Sequence, residues 1–564
     1  MHTSIEKHVL KNAIEFNGKA NPNAVLGRVL AEHPELRKDV KKVMKEIVQA
    51  IKKTEKLSLE EQRHLLQKRA PEMLKEQKKV YERKLELPGA VKGKVVMRFA
   101  PSPSGPLHLG HAFVLGLNSE LCKEYDGKLL LRIEDTNPEN IYDKAYHMIP
   151  EDMRWLTKGN VAEVIVQSDR LGTYYDHAEK LVHMGKAYVC MCSADKFKRI
   201  ISKRKACPCR NLSVKEQQIR YAKMFGEYKP GEAVVRLKTD VVHKNPAMRD
   251  FPLVRINDER HPRTGTKHRV WPLMNFSVAV DDHELKVTHT LRGKDHMDNE
   301  KRQKLIADCF GWNMPVALYV GRINFTDIDL STTGTKKLIL EKKYKDWDDI
   351  RLPFLPALKR RGYQPEAFVK YAMDVGVSPA DKKVSKQDFF KAINHFNKEV
   401  LDPQANRYFF VADPVSIHVK DAPERDVALH LHPDFHARGQ RSFKTAQDFL
   451  ISARDLAALE EGKIHRLMEC LNFVKQKKSF IYHSQDHEEF KTAANKGFII
   501  HWLPAQDKMV DVSVLLEDGS VVKGKGEHRL KDLTEGTIVQ LERFGFCRLD
   551  RKKGNSVEFW FAHK

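Results

Sequence analysis

Two histidines stand close together just after a predicted strand. His108 and His111 lie in RFAPSPSGPLHLGH, where KVVMRFA reads as a strand and HLGHAFVLGLNSELCKEY as a helix. Residues three apart share one side of a helix, so we expect both side chains on its first turn. There they can donate hydrogen bonds to a pentacovalent α-phosphate. For HxGH alone, a structural alternative has equal weight: one histidine caps the helix and the other packs.

The surrounding elements predict where such a site would lie. A second apolar strand, GKLLLRIED, follows the helix, and strand, glycine-bearing turn, helix and strand form the pattern of a doubly wound parallel sheet. In that fold the first strand-to-helix turn binds nucleotides, because the amides of the helix N-terminus face phosphate oxygens. Gly110 would let the backbone or an adenine approach closely. We therefore predict a Rossmann-like α/β domain.

These motifs resemble those of a known enzyme family. RFAPSPSGPLHLGH resembles the HIGH signature of class I aminoacyl-tRNA synthetases, and with RIEDTNP (132–138) it resembles the glutamyl-tRNA synthetase branch. AVDDHELKVTHTLRGKDH (279–296) and VQLERFGFCRLD (539–550) are similar to its archaeal members. The resemblance implies ATP-dependent ligation of L-glutamate to the 3′ end of tRNA(Glu) through glutamyl-adenylate, with AMP and pyrophosphate released. The alternatives are a glutaminyl-tRNA synthetase of the same fold and a non-catalytic tRNA-binding paralogue.

A glutamate substrate needs one fixed anion for its ammonium and two cations for its carboxylates. Arg98, Glu134 and Arg292 can converge at the C-terminal edge of one sheet, and arginine pairs bidentately with carboxylates. The resemblance adds Ser102, at a place where glutaminyl enzymes carry an acidic residue, which favours glutamate. We add Asn275, beside a position where many relatives have a tyrosine.

The resemblance also implies an ATP site, with Mg²⁺ on the phosphates. Its second signature is a mobile lysine-bearing loop, which corresponds here to DLSTTGTKKL (329–338). Gly334 stands where the signature has its second lysine, so we expect Lys336 or Lys337 to replace it; an ordinary lysine-rich loop is the alternative. The predicted ATP-binding residues are Pro101, Gly105, His108, Leu109, Gly110, His111, Lys336 and Lys337.

Four of the eight cysteines fall within twenty residues, in two C-x-C pairs. Cys190, Cys192, Cys207 and Cys209 could hold a structural Zn²⁺, since four thiolates satisfy tetrahedral zinc. Reduced, packed cysteines are the alternative, because zinc knuckles usually have two residues between the cysteines. Basic residues that could contact the tRNA acceptor arm through its phosphates flank the pairs: Lys196, Lys198, Arg199, Lys203, Arg204 and Lys205.

Composition excludes two broad classes of protein. The 564 residues are 41% hydrophobic and 31% charged, too balanced for a disordered chain and too polar for a membrane-embedded one. The net charge of +23 predicts a polyanionic partner. The sparse cysteines and an N-terminus without a signal-peptide core predict a cytoplasmic protein with no membrane partner. We further expect a monomer and, from the resemblance, charging of tRNA(Gln) with handover to a tRNA-dependent amidotransferase.

The changing composition and the helix and strand patterns along the chain predict four regions. We assign residues 1–92 to an N-terminal helical arm and 93–330 to the catalytic domain, with an acceptor-arm insertion at about 187–275. Residues 331–400 would form the lysine loop and a helical stem-contact region. Residues 401–564 contain a series of strand-like runs and would form β-barrels that bind the anticodon. Aromatic residues beside cations suit this role, because they can stack on unpaired bases. Asp518-Gly519 predicts a hairpin there, and Ser58 with Glu61 predicts a capping box in the arm.

Overall fold

The structure is a computed structural model that describes residues 2–15, 18, 20–70, 73 and 86–564. The chain divides into two compact units, Met1–Lys84 and Leu85–Lys564. Residues 74–85 of the predicted arm lie outside the described residues. Within the described part of the chain, no helix combines the length and apolar character needed to span a membrane.

The described part of the N-terminal unit is helical, as predicted. In the helix Val40–Thr54, the side chains of Val43, Ile47 and Ile51 are buried, whereas the lysines lie on the other faces. The predicted capping box is confirmed, because the Ser58 side chain accepts the Glu61 amide and the Glu61 side chain accepts the Ser58 amide. The helices are α1 (His2–Glu15), α2 (Pro22–Glu32), α3 (Val40–Thr54) and α4 (Leu59–Arg69).

A parallel sheet forms the centre of the second unit. Its strands are β1 (Val96–Phe99), β2 (Lys128–Ile133) and β3 (Glu163–Val166), in the order β1-β2-β3. A second parallel pair, β8 (His289–Gly293) and β9 (Val316–Val320), meets the free edge of β1, where the Thr288 amide donates to the Val96 carbonyl at 2.9 Å. The strand order thus reverses between β1 and β8, which is where doubly wound sheets bind ligands.

An antiparallel sheet lies between β3 and β8 in the chain. Its strands pair in sequence order and are β4 (Ala187–Cys190), β5 (Val234–Leu237), β6 (Pro252–Ile256) and β7 (Val270–Pro272). The helices of the catalytic half are α5 (Leu109–Glu124), α6 (Ala145–Thr157), α7 (Leu171–His183), α8 (Ala194–Ser202), α9 (Val214–Lys223), α10 (Met274–Glu284) and α11 (Met297–Phe310).

A helical segment connects this half to the C-terminal region. It contains α12 (Thr332–Leu340), α13 (Leu355–Arg361), α14 (Pro365–Val375) and α15 (Lys386–Leu401), with the short parallel pair β10 (Ile323–Phe325) and β11 (Lys382–Val384). Helix α14 packs on α5, the helix that follows the two histidines, through Ala372 beside Gly116. The segment therefore supports the back of the predicted nucleotide site.

The C-terminal region is β-rich, as predicted, with two seven-stranded sheets, and one nearly closed barrel forms there. The first sheet contains β12 (Asn406–Tyr408), β13 (Phe410–Ala412), β23 (Met509–Leu515), β24 (Val521–Glu527), β25 (Ile538–Leu541), β26 (Gly545–Lys553) and β27 (Ser556–His563). The second contains β14 (Pro414–Lys420), β17 (Asp448–Ser452), β18 (Ile464–Leu467), β19 (Leu471–Gln476), β20 (Ser479–Ser484), β21 (Lys496–Ile500) and β22 (Leu503–Pro504).

Smaller elements complete this region: the antiparallel pair β15 (Arg425–His430) and β16 (Gln440–Thr445), and the short helices α16 (Ala453–Ala458) and α17 (His487–Thr492). The predicted hairpin is confirmed at β23–β24. The Leu516 amide donates to the Ser520 carbonyl at 2.8 Å, and Gly519 takes a positive φ of 88° that most other residues avoid.

Candidate active site

The two histidines stack on each other at the start of α5. Their ring centroids lie 3.8 Å apart with an interplanar angle of 22°. His108 is the N-cap residue, with extended backbone angles, whereas the sequence predicted it on the first helical turn. The difference arises because its Nδ1 accepts the amides of Gly110 and His111, at 3.1 and 3.4 Å, which helical geometry would prevent.

The hydrogen bonds of these rings define which nitrogen carries the proton. Backbone amides donate to Nδ1 of both histidines, since the His108 amide also donates to Nδ1 of His111 at 3.4 Å. Burial lowers the pKa of His108 to about 4, and burial together with the His108 ring holds the pKa of His111 well below 6.5. At neutral pH both rings are therefore neutral, with their protons on Nε2. Each ring thus combines the capping role and a free donor.

Contacts from distant parts of the chain hold this turn in place. The Leu107 amide donates to the Asp152 carboxylate at 2.9 Å, and the Leu107 carbonyl accepts the Leu355 amide at 2.8 Å. His108 itself forms an antiparallel bridge with Phe354. None of these three partners is predictable from the sequence, because neither α6 nor the segment before α13 carries a motif that identifies them.

Two glycines permit close packing around the turn. A Cβ on Gly110 would lie 3.1 Å from the His108 ring, and one on Gly105 would lie 3.2 Å from Trp347 and 3.3 Å from Thr332. Both distances are tighter than ordinary packing contacts, so a larger residue would push the ring or the segment after β10 away from the turn.

Four of the five residues predicted to bind glutamate line one cavity of about 340 Å³. Arg98 lies at the end of β1, Glu134 follows β2 and Arg292 lies on β8. Three strands near the reversal of strand order therefore each supply one charged side chain to the cavity. Ser102, His296 and the predicted ATP-site residues Pro101 and His111 also line the cavity, together with apolar residues. Among the described residues, Glu134 is the only carboxylate that lines this cavity.

Asn275 lies elsewhere. It lines a neighbouring cavity, whereas Met274 lines both. Its Oδ1 accepts a hydrogen bond from Gln303 at 3.3 Å, and the Gln303 Oε1 accepts one from Arg292 at 3.0 Å. Asn275 is thus placed to orient Arg292 through one intermediate side chain rather than to contact a ligand in the first cavity.

A buried ionic network lies beneath the cavity. Arg132, fully buried, donates to Asp282 at 2.6 Å and to Glu134 at 2.9 Å, and Arg98 donates to Asp282 through Nε at 3.3 Å. Burial would raise the pKa of Asp282, but the two arginines outweigh it and hold that pKa below its usual value. Burial raises the pKa of Glu134, against the opposing charges of Arg132 and Arg98. The network orients both Arg98 and Glu134.

Asp281 extends this network and is completely buried. Its carboxylate accepts hydrogen bonds from Gln167, Arg170 and Tyr174, at 2.8, 2.8 and 2.7 Å. Neither aspartate was predicted as a site residue. Two adjacent acids in the apolar helix stretch FSVAVDD were the available signal, since buried charges require partners.

The lysine-bearing segment is helical rather than the loop that the sequence predicted. Ser331 caps α12 by accepting the Gly334 amide at 3.0 Å, which turns the chain into a helix immediately after the predicted loop begins. Thr332 meets the histidine-bearing turn, where its Oγ1 lies 3.1 Å from the Ser104 Oγ.

The two lysines of α12 have different surroundings. Lys336 lies over the Tyr142 ring, with 5.2 Å from Nζ to the ring centroid. The Tyr142 amide donates to the Pro103 carbonyl at 2.8 Å, so Lys336 adjoins the histidine-bearing turn. Lys337 has a side chain 78% exposed, and its nearest charged partner is Glu341 at 3.9 Å.

The four predicted cysteines form one cluster. Their Sγ atoms all lie within 4.8 Å of one another, with 3.6 Å between Cys190 and Cys207 and 3.4 Å between Cys192 and Cys207. Zinc–sulfur bonds of about 2.3 Å in a tetrahedron require sulfur atoms about 3.8 Å apart. The set of donors and its spacing therefore fit Zn²⁺. It is the only such cluster among the described residues.

Several C-terminal aromatic residues are part of the protein core. Phe546, Phe559 and Trp560 are buried in the first β-rich sheet, and the Arg360 guanidinium lies 4.0 Å from the Trp560 ring centroid. Arg543 makes a bidentate ion pair with Asp455 at 2.9 and 2.8 Å.

A doubly wound sheet with HLGH at its first turn, an antiparallel insertion and a β-rich C-terminal region defines a class I aminoacyl-tRNA synthetase. Residues 94–403 match the family model described as tRNA synthetases class I (E and Q), catalytic domain. Residues 405–491 and 499–550 match the two anti-codon binding domain models of the same family. The chain belongs to this family of class I tRNA synthetases.

Curated relatives align along the whole chain. A glutamate–tRNA ligase of Methanocaldococcus jannaschii is 44% identical over 100% of both chains. One from Methanococcus maripaludis is 42% identical over 100% of both, and one from Pyrococcus furiosus is 44% identical over 99% of both.

Proposed function

We propose that this chain ligates L-glutamate to the 3′ end of tRNA(Glu) with ATP, through glutamyl-adenylate, and releases AMP and pyrophosphate. The observation that carries this proposal is the single cavity in which Arg98, Arg292 and Glu134 meet beside His111. The full-length similarity to glutamate–tRNA ligases supports glutamate charging over the glutaminyl and non-catalytic alternatives.

Each charge in the cavity matches a group of glutamate. Glu134 would accept the substrate ammonium, and the two arginines would take the carboxylates, with Ser102 as an uncharged neighbour. The Arg98–Asp282 and Arg132–Glu134 contacts fix these side chains before substrate arrives, which reduces the entropy lost on binding.

In the first step the glutamate α-carboxylate attacks the ATP α-phosphate, and pyrophosphate leaves. No nucleophile from the protein is needed, so catalysis is positioning and charge stabilisation. Nε2–H of His108 and His111 would donate to the phosphate as charge develops, and Lys336 would approach the phosphates from α12. Magnesium would supply further positive charge to the phosphates.

In the second step the terminal ribose hydroxyl of the tRNA attacks the activated carbonyl, and AMP leaves. We assign the acceptor arm to the insertion at about 187–275 of the catalytic domain (93–330), the stem to 331–400 and the anticodon to 401–564. From the N-terminal arm (1–92), the exposed lysines of α3 would add positive charge. The proposal includes charging of tRNA(Gln), handover to an amidotransferase, a monomeric state and a cytoplasmic location.

We assign the cysteine cluster a structural Zn²⁺. The sulfur spacing supports this, and the ring of buried Phe197 packs against Cys190 and Cys207. Bound zinc would cross-link β4 to the turn at Cys207 and stabilise the insertion.

Pyrophosphate exchange tests the proposal directly. The purified chain is incubated with ATP and labelled pyrophosphate, with glutamate or glutamine, in the presence and absence of tRNA. Exchange with glutamate that depends on tRNA is expected. Exchange with glutamine alone would show that the chain is a glutaminyl-tRNA synthetase. Tight tRNA binding without any exchange would show a non-catalytic tRNA-binding protein.

A further inference from the structure

A chain of amide side chains joins two residues that line the proposed glutamate cavity. Arg292 donates through Nη1 to Gln303 Oε1 at 3.0 Å, and Gln303 donates to Asn275 Oδ1 at 3.3 Å. Asn275 donates in turn to Asn299 Oδ1 at 3.3 Å, and Asn299 Nδ2 lies 3.2 Å from His296 Nδ1. Both Arg292 and His296 line the cavity, so the chain begins and ends there. The three side chains between them, Gln303, Asn275 and Asn299, are here called the amide relay.

The order of the strands places Arg292 at the end of the cavity opposite Glu134. Strand β1, which carries Arg98, lies between β8, which carries Arg292, and β2, which Glu134 follows. With the substrate ammonium on Glu134, the side-chain carboxylate of an extended glutamate would reach the opposite end. Arg292 would therefore meet the group that distinguishes glutamate from glutamine.

The two arginines of the cavity are held by different groups. Arg98 donates to the Asp282 carboxylate at 3.3 Å, which compensates part of its charge. Arg292 makes no ion pair with any described residue, and Gln303, 1% exposed, gives it a neutral acceptor. The Nε of Arg292 is buried and has no hydrogen-bond partner among the described residues. A buried cation with an unused donor is costly, and a bound carboxylate would offset that cost.

The amide relay also fixes the proton of His296. Each amide accepts through its oxygen and donates through its nitrogen, so the hydrogen bonds run in one direction from Arg292 to His296. Because Asn299 Nδ2 can only donate, His296 Nδ1 accepts and the proton lies on Nε2. Burial lowers the pKa of His296, which keeps the ring neutral.

Both ends of the relay therefore offer N–H donors. The Asp295 carboxylate lies 3.9 Å from His296 Nε2, beyond hydrogen-bond distance, and pairs with Arg322 at 2.9 Å. A carboxylate has two oxygens that can accept from Arg292 and from His296. A carboxamide has one such oxygen, and its NH₂ group would face donors.

We propose that Gln303 is a positioning residue that determines the preference for glutamate over glutamine. As a neutral acceptor it fixes the Arg292 guanidinium without compensating its charge. Through the rest of the relay it keeps Nδ1 of His296 an acceptor and Nε2 a donor. The inference rests on the proposed function, because it concerns the same cavity and the same substrate.

Two substitutions at this position separate charge from geometry. Gln303→Glu keeps the size of the side chain and an oxygen for Arg292, but its carboxylate compensates the arginine. Gln303→Met removes the acceptor and adds no charge. Lys304→Gln, at the exposed neighbour on α11, changes the net charge by the same amount as Gln303→Glu and is the matched control.

The assay is pyrophosphate exchange in the presence of tRNA. It gives kcat, the KM for glutamate, the KM for ATP and the inhibition constant for glutamine. Thermal unfolding of each variant verifies the fold. A residue that only supported the fold would change these constants together, whereas a specificity residue changes the constant for glutamate selectively.

We expect Gln303→Glu to raise the KM for glutamate about 30-fold or more, with kcat within about threefold and the KM for ATP within about twofold. The inhibition constant for glutamine should change by less than about threefold, so the preference for glutamate falls about tenfold or more. Gln303→Met should raise the KM for glutamate only about fivefold, because the arginine keeps its charge. Lys304→Gln should leave every constant within about twofold.

An equal loss of affinity for glutamate and glutamine in Gln303→Glu would overturn the inference, because Gln303 would then only shape the cavity. Equal effects of the two substitutions, or an unchanged KM for glutamate, would overturn it as well. If Gln303→Glu does not fold, Gln303→Met decides: a rise of about threefold or more for glutamate alone supports the inference, and parallel or absent changes overturn it. Absent glutamate-dependent exchange in the wild type would refute the proposed function separately.

Discussion

Asp152 provides the most quantitative test of how the histidine-bearing turn is held. Its carboxylate, 6% exposed on α6, accepts the Leu107 amide one residue before His108. Asp152→Asn keeps the size of the side chain and an oxygen that can accept this amide, but it removes the titrating group. The variant therefore isolates the electrostatic effect of burying the carboxylate.

The direction of the effect follows from the pKa of Asp152, which burial raises from 3.8 to about 7. The folded protein then retains a proton that the unfolded chain has released, so the free energy of unfolding falls as pH rises through this interval and levels off above about pH 7. The shift of about 3 pH units corresponds to ~4 kcal/mol. Between pH 5 and pH 8, the free energy of unfolding loses ~3 kcal/mol of this contribution.

Urea unfolding of wild type and Asp152→Asn at pH 5 and pH 8, followed by tryptophan fluorescence, measures this difference. The stability of the variant relative to wild type should increase by ~3 kcal/mol from pH 5 to pH 8. Glu124→Gln, which changes an exposed acid on α5 that does not act on Asp152, should show no such trend. A difference independent of pH, or one that favours wild type at pH 8, would refute the argument from burial.

Three further predictions concern the site. Lys336→Ala should lower kcat/KM for ATP by about 30-fold or more and Lys337→Ala by less than about threefold, because only Lys336 adjoins the turn; equal effects in steady-state kinetics would contradict the assignment. His108→Ala should reduce kcat by about 100-fold and leave the tRNA dissociation constant within about twofold, whereas parallel losses would indicate a purely structural cap. Metal analysis of the purified proteins should find zinc in the wild type and a loss of it in Cys207→Ser. An equally low zinc content in both proteins would contradict the zinc assignment.

Local sequence rules predicted much of the architecture. The capping box at Ser58, the Asp518-Gly519 hairpin and the βαβ pattern around HLGH depend on residues close together in the chain, and the structure contains all three. The fold class was predicted because strands, turn residues and helix periodicity agreed with one another. The helical form of 332–340 was not predicted, because the resemblance to a loop outweighed the N-cap signal of Ser331.

The candidate site was predicted where strand ends bring residues together. Arg98, Glu134 and Arg292 share a cavity because parallel strands end at one edge of a sheet. Asp152 and Asp282 were missed, because their partners lie 45 and 150 residues away and no periodic pattern encodes such pairs. His108 was placed on the wrong side of the helix boundary, since a histidine is an uncommon N-cap and its ring nitrogen supplies the acceptor.

This chain attaches glutamate to tRNA, and the product of that reaction can be measured. The most direct measurement is the amount of aminoacyl-tRNA formed from labelled glutamate or labelled glutamine, with ATP and the same tRNA preparation. The arrangement of Arg98, Glu134 and Arg292 predicts glutamyl-tRNA and no glutaminyl-tRNA above background. Formation of glutaminyl-tRNA, or of neither product by a folded protein that binds tRNA, would contradict it.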